Sequence, residues 1–313
     1  MEKLKIKKIK KIRCGLKIKL ILGIILGFVI LVVLFLGIVG WGIYKLDWRN
    51  DFIAKVTQIV PFPAAKVGNN FILYSDYLTT LNSAIKFYEK QDPTLIKNED
   101  NLKEIKKMAL DDRLIKNLLV KKIAQRYNVT VSQEEVQAKL SEIILNKGSQ
   151  AELEKFLADY YNFSSADYKK YFIEPNLYYD KTNQAVADDD KLNGAARKKV
   201  EEFLSKLKSG GNFEELAKVY SEDDKAKEGG FVSEFHRGQL PKTIEDQLFG
   251  MQEGEYTGLL VMADRFQVFK LEKKDLDKGL LTLRTISVRM TNLDDLLKEE
   301  RAKTKIQIFV YQQ

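Results

Sequence analysis

Residues 197–223 read RKKVEEFLSKLKSGGNFEELAKVYSED, residues 225–260 KAKEGGFVSEFHRGQLPKTIEDQLFGMQEGEYTGLL, and residues 265–274 RFQVFKLEKK. In order these are an amphipathic helix, a Gly-x-x-Phe step, ELAKVYS, a GG pair, FHRGQ, a short acidic helix, EGE and a closing strand. Helices first and a short strand-rich stretch after them predict an α+β unit. The chain has a single histidine, His236, so no site that needs two can be built from it. The sequence has no His/Cys spacing for a metal, no Gly-rich phosphate loop and no nucleophile-with-base motif. Neither metal nor cofactor is expected.

The charge is informative only once it is located. The formal net charge of +8 comes from nine basic residues and one acid within residues 1–19; residues 20–313 balance. A basic flank beside an apolar run is a membrane signature, and it removes the case for a nucleic-acid partner. Residues Leu20–Tyr44, LILGIILGFVILVVLFLGIVGWGIY, carry no charge. At about 1.5 Å per residue such a helix crosses a hydrocarbon core of roughly 30 Å. Trp41, Tyr44 and Trp48 stand where an interfacial aromatic belt would. A cleaved signal peptide has an apolar region of only about 7–15 residues and a small-x-small cleavage site. GWGIYKLDW fits that poorly, so the reading is a signal anchor with residues 1–19 cytoplasmic and 45–313 extracytoplasmic. The lone cysteine, Cys14, falls on the cytoplasmic side, as a bystander thiol; the exported part has no disulfides.

Beyond the span, residues 45–63 read as a stalk in which Pro61 and Pro63 block helix. AAKVGNNFILYSDYL then predicts a strand, a turn at Gly68-Asn69, a second strand and a helix entry at Ser75. Helices are expected over 76–91, 99–126, 132–146, 150–161 and 164–180. Ser132 with Glu135 forms a capping box, and Ser164 or Ser165 a second cap. Apolar residues at helical spacing, such as Leu110, Leu114 and Leu118, account for core. Eight aromatics between Tyr160 and Tyr179 exceed what one helix face buries and are expected to divide between core and exposed contact surface. Residues 181–196 are polar and without apolar period, and read as a linker or the frayed lead into the next helix. After the quoted stretch come another strand, LLTLRTISVRM at 280–290, a helix, LDDLLKEERAKT, and a last strand, KIQIFVYQ, that could return to the hairpin at 65–74.

The quoted stretch resembles the parvulin (PpiC-type) prolyl isomerases. The 64–180 segment resembles the SurA-type chaperone domain, through its GNNFILYSDY hairpin and the YNVTVSQEEVQAKLSEI helix entry. Together they resemble extracytoplasmic foldases of the PrsA and SurA kind. That resemblance implies a mainly helical chaperone domain and a parvulin domain over 197–290 with a four-stranded antiparallel sheet. No strand precedes the helix at 197, but LRTISVR resembles the parvulin's first strand. The expectation is therefore a circular permutation, with strand 281–290 pairing with strand 266–272 and a C-terminal helix and strand over 291–313.

Carried across residue by residue, the resemblance implies that Asp223 stands at the Cys/Asp position of the polar floor, Gln267 at one histidine position and Thr285 at the other. The proline pocket falls on Phe235, Leu240, Ile244 and Phe249. His236 lands on an exposed turn. The implied partners are unfolded or proline-containing exported polypeptides and the membrane through residues 20–44. Three functions stay open: a membrane-anchored folding factor that is weak in catalysis and acts mainly as a chaperone, a fully active peptidyl-prolyl isomerase, and a non-catalytic structural or assembly protein.

Overall fold

The structure, a computed structural model, describes the backbone of residues 2–310 and the side chains of residues 22–310 other than Ser233. The basic flank's side chains and Cys14 lie outside the described ones, as do residues 311–313 at the end of the strand expected from the sequence.

The first elements are helix α1 (Glu2–Leu46), helix α2 (Asp51–Ile59), strands β1 (Pro63–Val67) and β2 (Asn70–Leu73), and helices α3 (Tyr74–Gln91) and α4 (Glu99–Lys107). A π-helical segment, Met108–Ile115, leads into α5 (Lys116–Arg126), so the helix expected over 99–126 is one helical stretch with a widened middle. Helices α6 (Gln133–Lys147), α7 (Gln150–Tyr161) and α8 (Ser165–Tyr168) follow; a second π segment, Lys169–Ile173, leads into α9 (Glu174–Ala187). Helices α10 (Asp190–Lys208) and α11 (Phe213–Tyr220), strand β3 (Phe231–His236) and helix α12 (Lys242–Gly250) come next. Strands β4 (Leu260–Met262), β5 (Arg265–Asp275) and β6 (Leu280–Arg289), helix α13 (Leu293–Lys303) and strand β7 (Ile306–Ile308) complete the order. The Ser132–Glu135 capping box forms, and Ser164 closes a second one with Asp167.

Two segments hold more helix than their sequences announce. Residues 45–63, read as a stalk, contain α2: Asn50 caps Ile53, and Ile53 and Thr57 are buried. The prolines stop that helix rather than prevent it. Residues 181–196 hold the end of α9, which continues to Ala187, and the lead into α10, which begins at Asp190 and is capped by Asp189. The buried face here is partly polar, with Thr182 and Asn193 among its inward residues, so no apolar period marks it. Asn193 is fully partnered, donating to Val186 O (2.8 Å) and Thr291 O (2.9 Å) and accepting from Thr291 N–H (2.8 Å).

The chain forms two compact units: Met1–Ile115 with Asp159–Asn162 and Lys305–Gln313, and Lys116–Ala158 with Phe163–Thr304. Helices of the 116–158 segment thus group with the parvulin-like sheet, across the boundary read at residue 180. In the first unit the sheet order is β2-β1-β7, all antiparallel, with Ala65 opposite both Ile72 and Ile308. Gly68 turns the hairpin at φ +59° and donates its N–H to Lys305 O, tying the turn to the entry of β7. Tyr74, Tyr77, Leu78 and Leu81 of α3 are buried in that unit's core.

In the second unit α5 and α13 are joined by Glu300, which is buried and takes Lys122 Nζ at 2.6 Å and Arg126 Nη2 at 3.1 Å. Its sheet has the order β3-β6-β5-β4, antiparallel throughout. Strand β6 lies between β3 and β5, with Phe266 opposite Val288 and Val268 opposite Ile286. This is the pairing expected of the permuted strand. Alternate residues of a strand face opposite sides. Phe266, Val268, Ile286 and Val288 pack with Val200 and Phe203 of α10 and Phe213 and Ala217 of α11. The other side carries Phe269, Leu271, Leu281 and Leu283, packed with Leu248 and Phe249 of α12.

Candidate functional site

The side of the sheet that faces α12 holds the residues singled out from the sequence. Phe235, Leu240 and Ile244 are half-buried and pack against the Phe269–Leu271–Leu281–Leu283 cluster, joined by Met251, Leu260 and Met262. Phe249 is buried, and its outer ring face is covered by the Arg237 guanidinium at 3.8 Å. Arg237 is steadied by Glu245, whose buried carboxylate also accepts the Gly238 N–H. The structure therefore packs the three half-buried residues against one apolar cluster that includes Phe249. His236 is exposed in the turn, with its backbone N–H held by the Gln239 side chain.

The polar positions follow from strand register. Gln267 lies opposite Leu260 on β4 and opposite Ser287 on β6. Its Nε2 donates to Ser287 Oγ at 3.3 Å. Ser287 is fully buried, and its N–H donates to Ser221 Oγ at 2.9 Å. Ser221 in turn donates to Asp223 Oδ1 at 2.9 Å. Gln267 and Asp223 are thus linked through two serines that the sequence reading did not single out. The segment is fastened along β6 by Glu222, whose N–H donates to Ser287 O and whose carboxylate accepts the Arg289 N–H and the Lys199 ammonium. Burial works against the Glu222 charge, but Lys199 and the Arg289 N–H outweigh it and hold the carboxyl below its usual range.

Thr285 stands two residues before Ser287 on the same side of β6, opposite Phe269. It is buried, its N–H donates to Gly230 O at 2.7 Å and its hydroxyl donates to Ile286 O at 3.0 Å. Its polar groups are spent on the backbone, and the side-chain partner of Gln267 is Ser287. The resemblance placed Thr285 at the histidine position because LRTISVR aligns that way. Ser287 was recoverable only through the Gln267–Ser287 register, which long-range pairing sets. None of Gln267, Thr285, Ser287 or Ser221 titrates near neutral pH.

Comparison with known proteins places these features. A family model described as the SurA-like N-terminal domain matches residues 9–176, and one described as the PPIC-type PPIASE domain matches residues 181–273. The first match spans more than half of the chain, and the protein belongs to that SurA-like family, with a PpiC-type domain following it. Among curated proteins, the chain is 35% identical over 80 residues to the chaperone SurA of Nitrosospira multiformis, covering 26% of this chain and 18% of the relative. It is 26% identical over 189 residues to the foldase protein PrsA 3 of Bacillus cereus, covering 56% of this chain and 65% of the relative. A 1.70 Å crystal structure of the peptidylprolyl isomerase PrsA from Bacillus anthracis matches with a TM-score of 0.22 and 18% identity, over 60% of this chain and 85% of that one. The chain thus spans from under a fifth to just under two thirds of the curated relatives' own lengths. The PpiC match ends at Lys273, before β6, so the strand that lies between β3 and β5 falls outside it.

Proposed function

We propose that this protein is a membrane-anchored, extracytoplasmic folding factor whose parvulin-type domain binds proline-containing segments of exported polypeptides, isomerises them weakly and acts mainly as a chaperone. The observation that carries this reading is the pairing of an apolar lining, Phe235, Leu240 and Ile244, with a floor of Gln267, Ser287 and Thr285 that has no histidine. The barrier to prolyl rotation is about 18–20 kcal/mol, set by amide resonance. An apolar pocket that strips water from the peptide lowers it in part. A positioned acid–base or hydrogen-bonding group is worth roughly 10²–10⁴-fold more. Asp223 and Gln267 are the proposed remaining polar contributors, while Thr285, whose N–H and hydroxyl are already bonded to backbone carbonyls, only shapes the floor.

Anchoring is supported by the way α1 ends. Leu22–Leu46 is a 25-residue apolar helix, a pattern shared by membrane anchors and signal sequences. Its last turns are built into the first unit: Val39 and Ile43 are buried, and Tyr44 donates its hydroxyl to Pro63 O at 2.9 Å. Cleavage would remove that packing, which favours retention of the helix as an anchor with residues 45–313 outside.

The test is a proline-isomer assay and an aggregation assay on one unfolded client, using the full chain in detergent. Isomerisation well below that of a two-histidine parvulin, lowered further by Asp223→Ala or Gln267→Leu, with aggregation still suppressed, is the expected result. Turnover at the two-histidine level would replace this reading with that of a full isomerase. The Gln267–Ser287–Ser221–Asp223 chain of hydrogen bonds is the feature that favours that second reading. Failure to slow aggregation would remove the chaperone role.

A further inference from the structure

The chain doubles back at the end of α1. Trp48 N–H donates to Gly42 O at 3.0 Å, and a Cβ at Gly42 would sit 2.2 Å from the Trp48 ring, so only glycine admits this return. The following helix, α2, then meets α1 far below its end. The Phe52 and Phe35 rings are in edge contact, with centroids 6.3 Å apart. Farther on, the Phe62 ring lies 3.5 Å from where a Gly40 Cβ would be. Helix α2 has two sides. Ile53 and Thr57 face the unit's core, whereas Phe52, Val56 and Ile59, at i, i+4 and i+7, form an outward stripe. Phe52 is 54% and Ile59 84% exposed, and Trp41 on α1 is 58% exposed. Asp51, Lys55 and Gln58 supply exposed polar side chains along the same helix.

Depth can be worked out along α1. If the hydrocarbon begins at Leu20, a core of roughly 30 Å ends about 20 residues on, near Gly40. Phe35 is then about 8 Å inside that edge. Interfacial amphipathic helices bury their apolar side by about 5–10 Å. The Phe35–Phe52 contact therefore carries α2 to the depth at which such helices lie, on the side where Trp41 marks the boundary.

We propose that α2 is a second membrane-contacting element, with the Phe52–Val56–Ile59 stripe seated in the headgroup–acyl boundary of the bilayer that α1 crosses. This rests on the anchoring proposed above. A single span leaves a domain free to swivel and tilt; a short helix lying in the same interface would hold the first unit at a fixed height and roll.

The experiment uses the full chain reconstituted in phosphatidylcholine–phosphatidylglycerol vesicles. Cys14 is replaced by Ser, and single cysteines are placed by Leu31→Cys, Phe52→Cys, Ile59→Cys or Gln58→Cys. Each is labelled with an environment-sensitive fluorophore and exposed to phospholipids carrying acyl-chain quenchers at positions from near the carbonyl to mid-bilayer. Quenching at Phe52→Cys and Ile59→Cys comparable to that at Leu31→Cys, and several-fold above that at Gln58→Cys, is expected. Quenching at Leu31→Cys with either α2 apolar site as wet as Gln58→Cys would overturn the α2 proposal and leave the anchor standing. An unquenched Leu31→Cys would overturn the anchor and the α2 proposal together. Ile59 is the probe that cannot fail through lost packing, because it is exposed; a matching circular dichroism spectrum controls for Phe52→Cys.

Discussion

Gly230 shows how narrowly the site's floor is held. It adopts φ +76°, and a Cβ there would lie 2.2 Å from Thr285 O, the next residue of β6 along the floor. Left-handed backbone costs a side-chain-bearing residue about 1–2 kcal/mol, and the contact adds to it. Gly230→Ala should therefore destabilise the second unit by about 2–3 kcal/mol, read as a lowered urea midpoint with an unchanged slope. An unchanged midpoint would mean that β3 can shift away from β6 freely. At this scale the sequence was legible where likeness is local. Phe235, Leu240 and Ile244 sit around one apolar cluster, and His236 is on the surface. Ser287 and Ser221 were not legible, because their role depends on which strand residue lies opposite Gln267 and on where the Ser221–Asp223 turn docks.

Among elements, β6 carries the most consequence. It lies between β3 and β5, yet it comes after both in sequence and after the end of the PpiC match. A fragment of residues 189–275 should lack a cooperative unfolding transition, since Val268 and Phe269 would lose Ile286 and Thr285 across the strand pair. A fragment of residues 189–292 should regain one; equal behaviour of the two in thermal denaturation would show that β6 is dispensable. Helices α5 and α13 give a pH signature. The bond from Lys122 is the largest influence on Glu300, and with Thr304 and Arg126 it outweighs burial and holds the carboxyl below its usual range. A carboxyl whose folded pKa is depressed stabilises the fold above its unfolded pKa and loses that contribution as pH falls through the folded value. Glu300→Gln should cost about 1 kcal/mol at pH 7, discounted because Lys122 and Arg126 are more than half exposed. The gap to the parent chain should close on acidification below about pH 4. A gap that persists at low pH would assign the loss to packing. Strand β6 was legible because LRTISVR keeps a parvulin-like local pattern; the α9–α10 junction was not, because Thr182 and Asn193 are buried polar residues that break the apolar period.

At the scale of the whole molecule, each unit is closed by a segment from the end of the chain. Strand β7 forms the third strand of the first unit's sheet, pairing Ala65 with Ile308 and fixing Phe309 N–H on Ala64 O at 2.9 Å. Removing residues 305–313 should raise amide exchange in β1 and leave β5 and β6 protected, because the second unit contains none of the removed residues. Exchange rising equally in both sheets would show that the units unfold as one. The division into units was the least legible feature, since it depends on a 115-residue segment, a short middle stretch and the chain end meeting in space.

The late positions of β6 and β7 also set a timetable. A ribosome makes the chain from its N-terminal end, so β1 and β2 are finished long before residues 306–308 exist to pair with them. At about 5–20 residues per second that interval is roughly 10–50 s, during which the β1 edge stays open. Strands β3 and β5 wait likewise, over a shorter span, for residues 280–289. Nascent chains of this protein therefore carry an unpaired β1 edge from the making of residue 73 until residue 306 is added, and a copy truncated before residue 280 can close neither sheet. A protein proposed to bind unfolded exported chains thus presents, while it is being made, the same kind of open strand edge itself.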